Sequence, residues 1–165
     1  MNKKMSGMEL EREIHDILNE HKTASLATCL NDVPRCSPVQ YFTGNNMDIY
    51  ILSAGGEKFD AIGKNHHVCL LVHSEYIDYR RIKGIQIFGT ASTSLENPQL
   101  YEEARSFSPD IHFMEREKSN LKVIKIMPTE IVYLNALEDG NRTKQIYRNG
   151  EVTIKDERVL ADQFS

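Results

Sequence analysis

The stretch that decides the fold is TASLATCLNDVPRCSPVQYFTGNNMDIYILS, residues 23–53. Residues 23–30 are small and β-branched, and NDVPR at 31–35 carries turn chemistry. CSPVQYFT at 36–43 returns to strand composition, GNN at 44–46 turns the chain again, and MDIYILS at 47–53 alternates apolar and polar. Three strand-like runs joined by short turns predict an antiparallel meander, because connections this short cannot cross over to a parallel neighbour.

Upstream, MELEREIHDILNEH at 8–21 spaces Met8, Leu10, Ile14, Ile17 and Leu18 at helical intervals with charges between them. The spacing predicts an amphipathic first helix. Downstream, a short helix is expected over about 57–64 and a buried strand over 67–74, HVCLLVHS with its leading His67. IKGIQIFGTASTS at 82–94 reads as one long strand whose Gly84 and Gly89 suggest bends or bulges, as in a sheet curling towards a barrel. NPQLYEEARSF at 97–107 predicts a helix opened by its proline. Residues 120–135 predict one strand, or two broken at Pro128, and 144–154 a hairpin around Asn149-Gly150. The pattern is mainly β, in the α+β sense: a small antiparallel barrel flanked by about three helices.

The 165 residues suit one domain, with the elements above filling about 8–135 and a C-terminal hairpin and tail filling about 136–165. Hydrophobic residues at 40% and charged residues at 27% fit a soluble globular protein. A formal charge of −4 argues against a general nucleic-acid partner, while leaving room for a local basic cluster that holds one small anion. Cys29, Cys36 and Cys69 lie in apolar runs without Cys-x-x-Cys spacing, so reduced, buried thiols are expected. The N-terminus lacks an apolar run behind its lysines and no segment reaches membrane-spanning length. A cytoplasmic location, with no membrane partner, is the expectation.

The chemistry-bearing residues gather around Ser53-Ala54-Gly55-Gly56-Glu57-Lys58, where a strand ends and a helix begins. Glycines let main-chain N–H groups converge, and a helix start adds positive field; both favour an anion. The same pair also fits a plain turn, since neither the triphosphate loop nor the dinucleotide glycine fingerprint is present. Arg35, entering the second strand, is expected at the sheet end that holds Ser53, because antiparallel order puts one strand's start beside the next one's end. Arg35 and Lys58 then neutralise one phosphate, with Ser37 and Ser53 donating hydrogen bonds; a solvated arginine at a strand end is the alternative. The histidines show no ligand spacing, and His66 and His67, being adjacent on a strand, point to opposite faces. No nucleophile elbow or cysteine–base pair appears, so any chemistry is expected to reside in a cofactor.

The ordered set ASLATCLNDVPRCSPVQYF, MDIYILSAGGEKFDAIGKNHHVCLLV and KGIQIFGTA, behind a leading helix, resembles the FMN-binding split-barrel family related to pyridoxamine-5′-phosphate oxidase over about residues 8–95. The resemblance implies a split β-barrel homodimer with FMN between subunits and a small-molecule substrate or electron donor. By position it gives Arg35 and Lys58 to the phosphate with help from Ser53. It runs Ser37, Pro38 and Val39 past the ring and ribityl chain, and makes Gln86 a polar contact to the isoalloxazine. Two departures stand out. The family's Arg-x-His substrate motif is missing and the tail IKDERVLADQFS offers no replacement, which argues against vitamin B6 oxidation. The Gly55-Gly56 segment is less polar than the family's phosphate loop, which puts more weight on Arg35. The alternatives are a barrel for haem or a deazaflavin, with His15, His73 or His112 as axial candidates, and a non-catalytic flavin-binding stress or redox module.

Overall fold

A computed structural model describes residues 3–155; the end of the predicted tail, 156–165, lies outside them. Among the described residues the elements run α1 (Gly7–Glu20), β1 (Thr23–Leu30), β2 (Val33–Thr43), β3 (Ile49–Ser53), α2 (Glu57–Lys64), β4 (His67–His73), β5 (Lys83–Thr93), α3 (Leu100–Phe107), α4 (Ile111–Arg116), β6 (Lys122–Asn135), β7 (Lys144–Arg148) and β8 (Glu151–Lys155). The strands order β3-β2-β1-β4-β5-β6-β7-β8, and a further pairing of β3 with β6 closes the first six into a ring. This is the mainly antiparallel split barrel expected, with α4 as a helix that the sequence pattern did not single out. No helix among the described residues is long and apolar enough to cross a membrane.

The chain forms two compact units. Among the described residues, one combines 3–21, Leu71–Ile87 and 129–155; the other combines Lys22–Leu70 and Phe88–Pro128. We call them the hairpin unit and the barrel unit. Strands β4, β5 and β6 contribute residues to both.

In the barrel unit the meander holds with one change. The first turn needs only Asn31 and Asp32, both at positive φ (52° and 62°), a geometry in which a two-residue turn matches the twist of its strands. Strand β2 therefore begins at Val33, and Arg35 lies inside it opposite Thr28 rather than at its entry. Pro34 and Pro38 are tolerated there because β2 pairs with β3 only over residues 41–43, so the earlier half has a partner strand on one side alone. Leu26, Ile49, Ile51, Leu70, Ile124 and Ile126 are fully buried. Tyr50 of β3 and Val123 of β6 join Leu100, Tyr101, Ala104 and Met114 in a cluster under α3 and α4, with Phe42, Tyr50 and Phe107 stacked in series at 5.7 and 5.6 Å.

Strand β6 runs unbroken through Pro128, and β5 through both of its glycines. Those glycines answer a close approach of backbones rather than a break in the strand. A Cβ on Gly89 would stand 2.4 Å from the Met127 carbonyl oxygen, and one on Gly84 2.7 Å from both the Val72 oxygen and the His73 Cβ.

In the hairpin unit, α1 starts on a capping box: Ser6 Oγ accepts from the Glu9 N–H and Glu9 accepts from the Ser6 N–H. Its buried face is Leu10, Ile14, Ile17 and Leu18. Glu13 meets Tyr133 and Lys83, and Glu11 meets Tyr147, so α1 covers the sheet face that carries those residues. The segment before α1 is tied to a fully buried amide: the Met5 N–H donates to Gln145 Oε1 at 2.9 Å, and Gln145 Nε2 donates to the Lys3 carbonyl at 3.2 Å. The β7–β8 hairpin turns at Asn149 (φ 48°) and Gly150 (φ 82°), as the Asn-Gly pair predicts.

Candidate functional site

The turn after β3 is built around main-chain geometry that only glycine adopts without strain. Gly55 has φ +142° and Gly56 has φ +112° with ψ 176°, a region essentially closed to residues with a Cβ. Ser53 Oγ sits inside the turn, donating to the Gly55 carbonyl at 3.1 Å and accepting from the Gly55 N–H at 3.3 Å. Lys58, in the first turn of α2, donates its Nζ to the Gly55 carbonyl at 2.9 Å. Helix α2 receives no side-chain cap from Gly56.

A third group joins them. Lys122, the first residue of β6, lies opposite Ser53 in the β3–β6 register and donates its Nζ to the Ala54 carbonyl at 2.9 Å. The lysine amines stand 3.5 Å from where a Cβ would project at Gly55 (Lys122) and at Gly56 (Lys58). Arg35 reaches the same segment from β2 through an ion pair with Glu57. Three cations from three separate parts of the chain therefore surround the five residues Ser53–Glu57. Each already has a partner: two main-chain carbonyls and one carboxylate.

Of the predicted residues, Arg35, Ser53 and Lys58 come together at this turn. Strand alternation puts Ser37 and Val39 on the face of β2 that carries Arg35, with Val39 buried and Ser37 half-buried, while Pro38 projects to the opposite face and is exposed. Gln86 belongs to the hairpin unit. There it lines a cavity of about 290 Å³ with Leu71, Ile82, Val132, Leu134, Arg142 and Lys144, among others. Lys122 is the residue that sequence reasoning missed. Its only local signal is a lysine at a strand start, and pairing with a strand 68 residues away puts it at the turn.

The thiols give no sign of nucleophilic use. Cys29, Cys36 and Cys69 are free but not buried as expected, since Cys36 faces out from the exposed half of β2 and the other two are half-buried. Burial, with a smaller contribution from Cys36, pushes the Cys69 thiol up, opposite to an activated thiolate.

Residues 10–135, about three quarters of the chain, match the family described as pyridoxamine 5′-phosphate oxidase. The chain belongs to that family. Among solved structures it is similar to a protein from Listeria innocua named for pyridoxamine 5′-phosphate oxidase, with 24% identity, 76% of this chain and 98% of that one covered, and a TM-score of 0.57. It is also similar to General Stress Protein 26 from Bacillus anthracis (23% identity, 88% and 98% covered, TM-score 0.59). A heme binding protein from Mycobacterium smegmatis shares the fold at 16% identity, with 98% and 62% covered and a TM-score of 0.61. Among curated proteins, no match is found. At these identities the structural likenesses speak to the fold alone, which places the chain on the same scaffold as a stress protein and a heme binder.

Proposed function

We propose that this member of the pyridoxamine 5′-phosphate oxidase family binds FMN as a homodimer and acts as an oxidoreductase on a small molecule other than a vitamin B6 phosphate. The observation that carries the proposal is the convergence of Arg35, Lys58 and Lys122 on the glycine turn. A phosphate dianion needs several charge-assisted donors around a backbone with no side chain in the way, and this turn supplies both. Lysine carries three donors, so Lys58 and Lys122 can each keep their carbonyl and still donate to an anion. Arg35 has to exchange its exposed partner Glu57 for the phosphate. When bound, the flavin supplies hydride or electron acceptance at N5; the chain's own part is to hold the phosphate and border the ring and ribityl chain with Ser37 and Val39. The dimer reading draws support from β2, whose residues Val33–Cys36 and Pro38 are exposed along a half-strand with one partner.

The test is a titration of purified protein with FMN, haem and a deazaflavin, followed by absorbance and flavin fluorescence. FMN is expected to bind and the flavin to bleach with a reduced nicotinamide; haem binding alone would overturn the reading. The Arg35→Ala variant is expected to weaken FMN binding by about 1.5–3 kcal/mol, the size of a charged hydrogen bond, and unchanged affinity removes Arg35 from the phosphate site. Full flavin occupancy in a sedimenting monomer would contradict the shared dimer site.

A further inference from the structure

The barrel unit carries an ionic cluster that the phosphate turn does not use. It lies on the strand face of Tyr50 and Val123, which pack under α3 and α4. Lys125 of β6 stands opposite Tyr50 of β3 in the ladder, on the same two strands that pair Lys122 with Ser53. The Lys125 Nζ donates to Glu103 Oε1 of α3 at 3.0 Å, lies 3.7 Å from Asp48 Oδ2, and sits 5.9 Å from the centre of the Tyr50 ring. One lysine therefore serves two carboxylates, and all three groups are half-buried or nearly so.

The chain holds both acids in place. Asp48 closes the one-turn 3₁₀ helix Asn45–Met47: its carbonyl accepts from the Gly44 N–H at 2.8 Å, and its own N–H donates to the Asn45 carbonyl at 2.9 Å. Asn46 and Met47 adopt positive φ (53° and 64°) to make that closure. Gly44 lies against the Tyr50 ring, since a Cβ on it would stand 2.5 Å from the Tyr50 Cε2. Glu103 is carried by α3, whose Leu100, Tyr101 and Ala104 are buried around Tyr50. Its second oxygen, Oε2, is enclosed and has no hydrogen-bond partner among the described residues. Two negative charges thus share one positive charge, with an enclosed acceptor left over.

We propose that Asp48, Lys125 and Glu103 form a proton-operated clamp, which docks α3 on the barrel wall more tightly when Asp48 takes up a proton. A charged Asp48 competes with Glu103 for Lys125. A neutral Asp48 leaves a matched Lys125–Glu103 pair, and that pair is the ionic link between α3 and β6. The titratable groups facing Asp48 among the described residues are Lys125 from β6, Glu103 from α3 and Tyr50 from β3. Burial raises the Asp48 pKa above the ordinary 3.8; Lys125 opposes the rise and Glu103 adds to it. Burial first, then Glu103 and Asp48, push the Tyr50 phenol up, so it stays neutral throughout. The folded state therefore holds the Asp48 proton more tightly than the unfolded one. The stabilisation from this group is fully present below 3.8 and is lost as pH rises through the raised value. The clamp lies within the barrel unit and does not depend on the FMN reading.

The experiment uses the full-length protein without ligand and two readouts. Hydrogen exchange by mass spectrometry follows Leu100–Phe107 as protection factors, which divide out the intrinsic effect of pH. Carboxyl-carbon NMR follows the titration of Asp48 itself. Asp48→Asn, which fixes the uncharged state, is expected to protect α3 roughly two- to fivefold more than the parent at about pH 7, the range of a partly exposed ion pair. That ratio is expected to approach one at about pH 4.5, where the parent takes up the same proton. Glu103→Gln is expected to lower the Asp48 midpoint, because the neighbouring charge that raised it is gone. Circular dichroism melting establishes that both variants are folded. A ratio that stays at one across the pH range overturns the proposal, as does an α3 less protected in Asp48→Asn than in the parent. A parent Asp48 that titrates at its ordinary value overturns it without any variant, and so does a midpoint that Glu103→Gln leaves unmoved.

Discussion

The turn at Ser53–Glu57 and the cavity of the hairpin unit both carry cationic side chains, yet one is built around a backbone turn and the other along an apolar sheet face. At the turn each cation is already engaged, Arg35 by Glu57, Lys58 by the Gly55 carbonyl and Lys122 by the Ala54 carbonyl. In the hairpin unit Lys144 and Arg142 line a cavity with Leu71, Ile82, Val132 and Leu134, charged groups beside an apolar sheet face. A self-satisfied cluster keeps its shape without a ligand, so an arriving anion there has to compete with existing contacts. The first region is organised by its backbone and the second by the packing of strands under α1, and substitutions should separate the two.

The largest expected effect is on the backbone of the turn. Gly56→Ala forces a Cβ into a conformation with φ +112° and ψ 176°, at a cost of about 1–3 kcal/mol. Urea denaturation is expected to show that loss, and FMN titration a loss of binding. A Gly56→Ala protein as stable as the parent and still yellow would mean that the turn relaxes freely and is not a rigid cradle.

How much of this was visible in the chain depends on how local the signal is. Thr23–Leu30, the α2 helix over 57–64 and the Asn149-Gly150 hairpin were legible because composition, period and turn residues agree within a few positions. The start of β2 was misread at Pro34. Proline in VPR looks like part of a turn, but an exposed half-strand with one partner tolerates it, and the register carries it opposite Cys29. Lys122 was invisible for a different reason: only closure of the ring through β3 and β6 brings it to the glycines, and nothing near residue 122 announces that pairing. Arg142 and Lys144 share this property, since a lysine two residues from an arginine reads as ordinary surface until the strand face is known. Helix α4 is only six residues long, too short for a periodic signal, and is held by Asp110 accepting from the Phe113 N–H.

The next effect tests the sealed face of the hairpin unit's sheet. Burial, and to a lesser degree the Glu13 carboxylate, push the Tyr133 phenol up to about 12 from 10.0. The folded state thus holds this proton more tightly than the unfolded one. The resulting stabilisation is fully present below pH 10 and is lost as pH rises through about 12. Over that window the protein is expected to lose on the order of 1–2 kcal/mol from this group, and Tyr133→Phe is expected to flatten the stability–pH curve there. Tyr41, likewise held near 12 by burial, leaves a residual slope in the variant. Denaturation midpoints that fall equally steeply in Tyr133→Phe would mean that the face under α1 is wet and not sealed.

The smallest effect bears most directly on the difference between the two regions. If Glu57 is the contact that an incoming phosphate must displace from Arg35, then Glu57→Gln removes a competitor without altering the turn. Exposed ion pairs contribute about 0–1 kcal/mol, so FMN affinity is expected to rise by no more than about fivefold. The gain is expected to shrink as salt is added, because salt already screens the pair in the parent protein. A drop in FMN affinity would give Glu57 the opposite role, that of a residue holding Arg35 in the orientation a phosphate needs. The self-satisfied cluster would then be preorganised for its ligand rather than in competition with it, and the contrast between the two sites would lie in geometry alone.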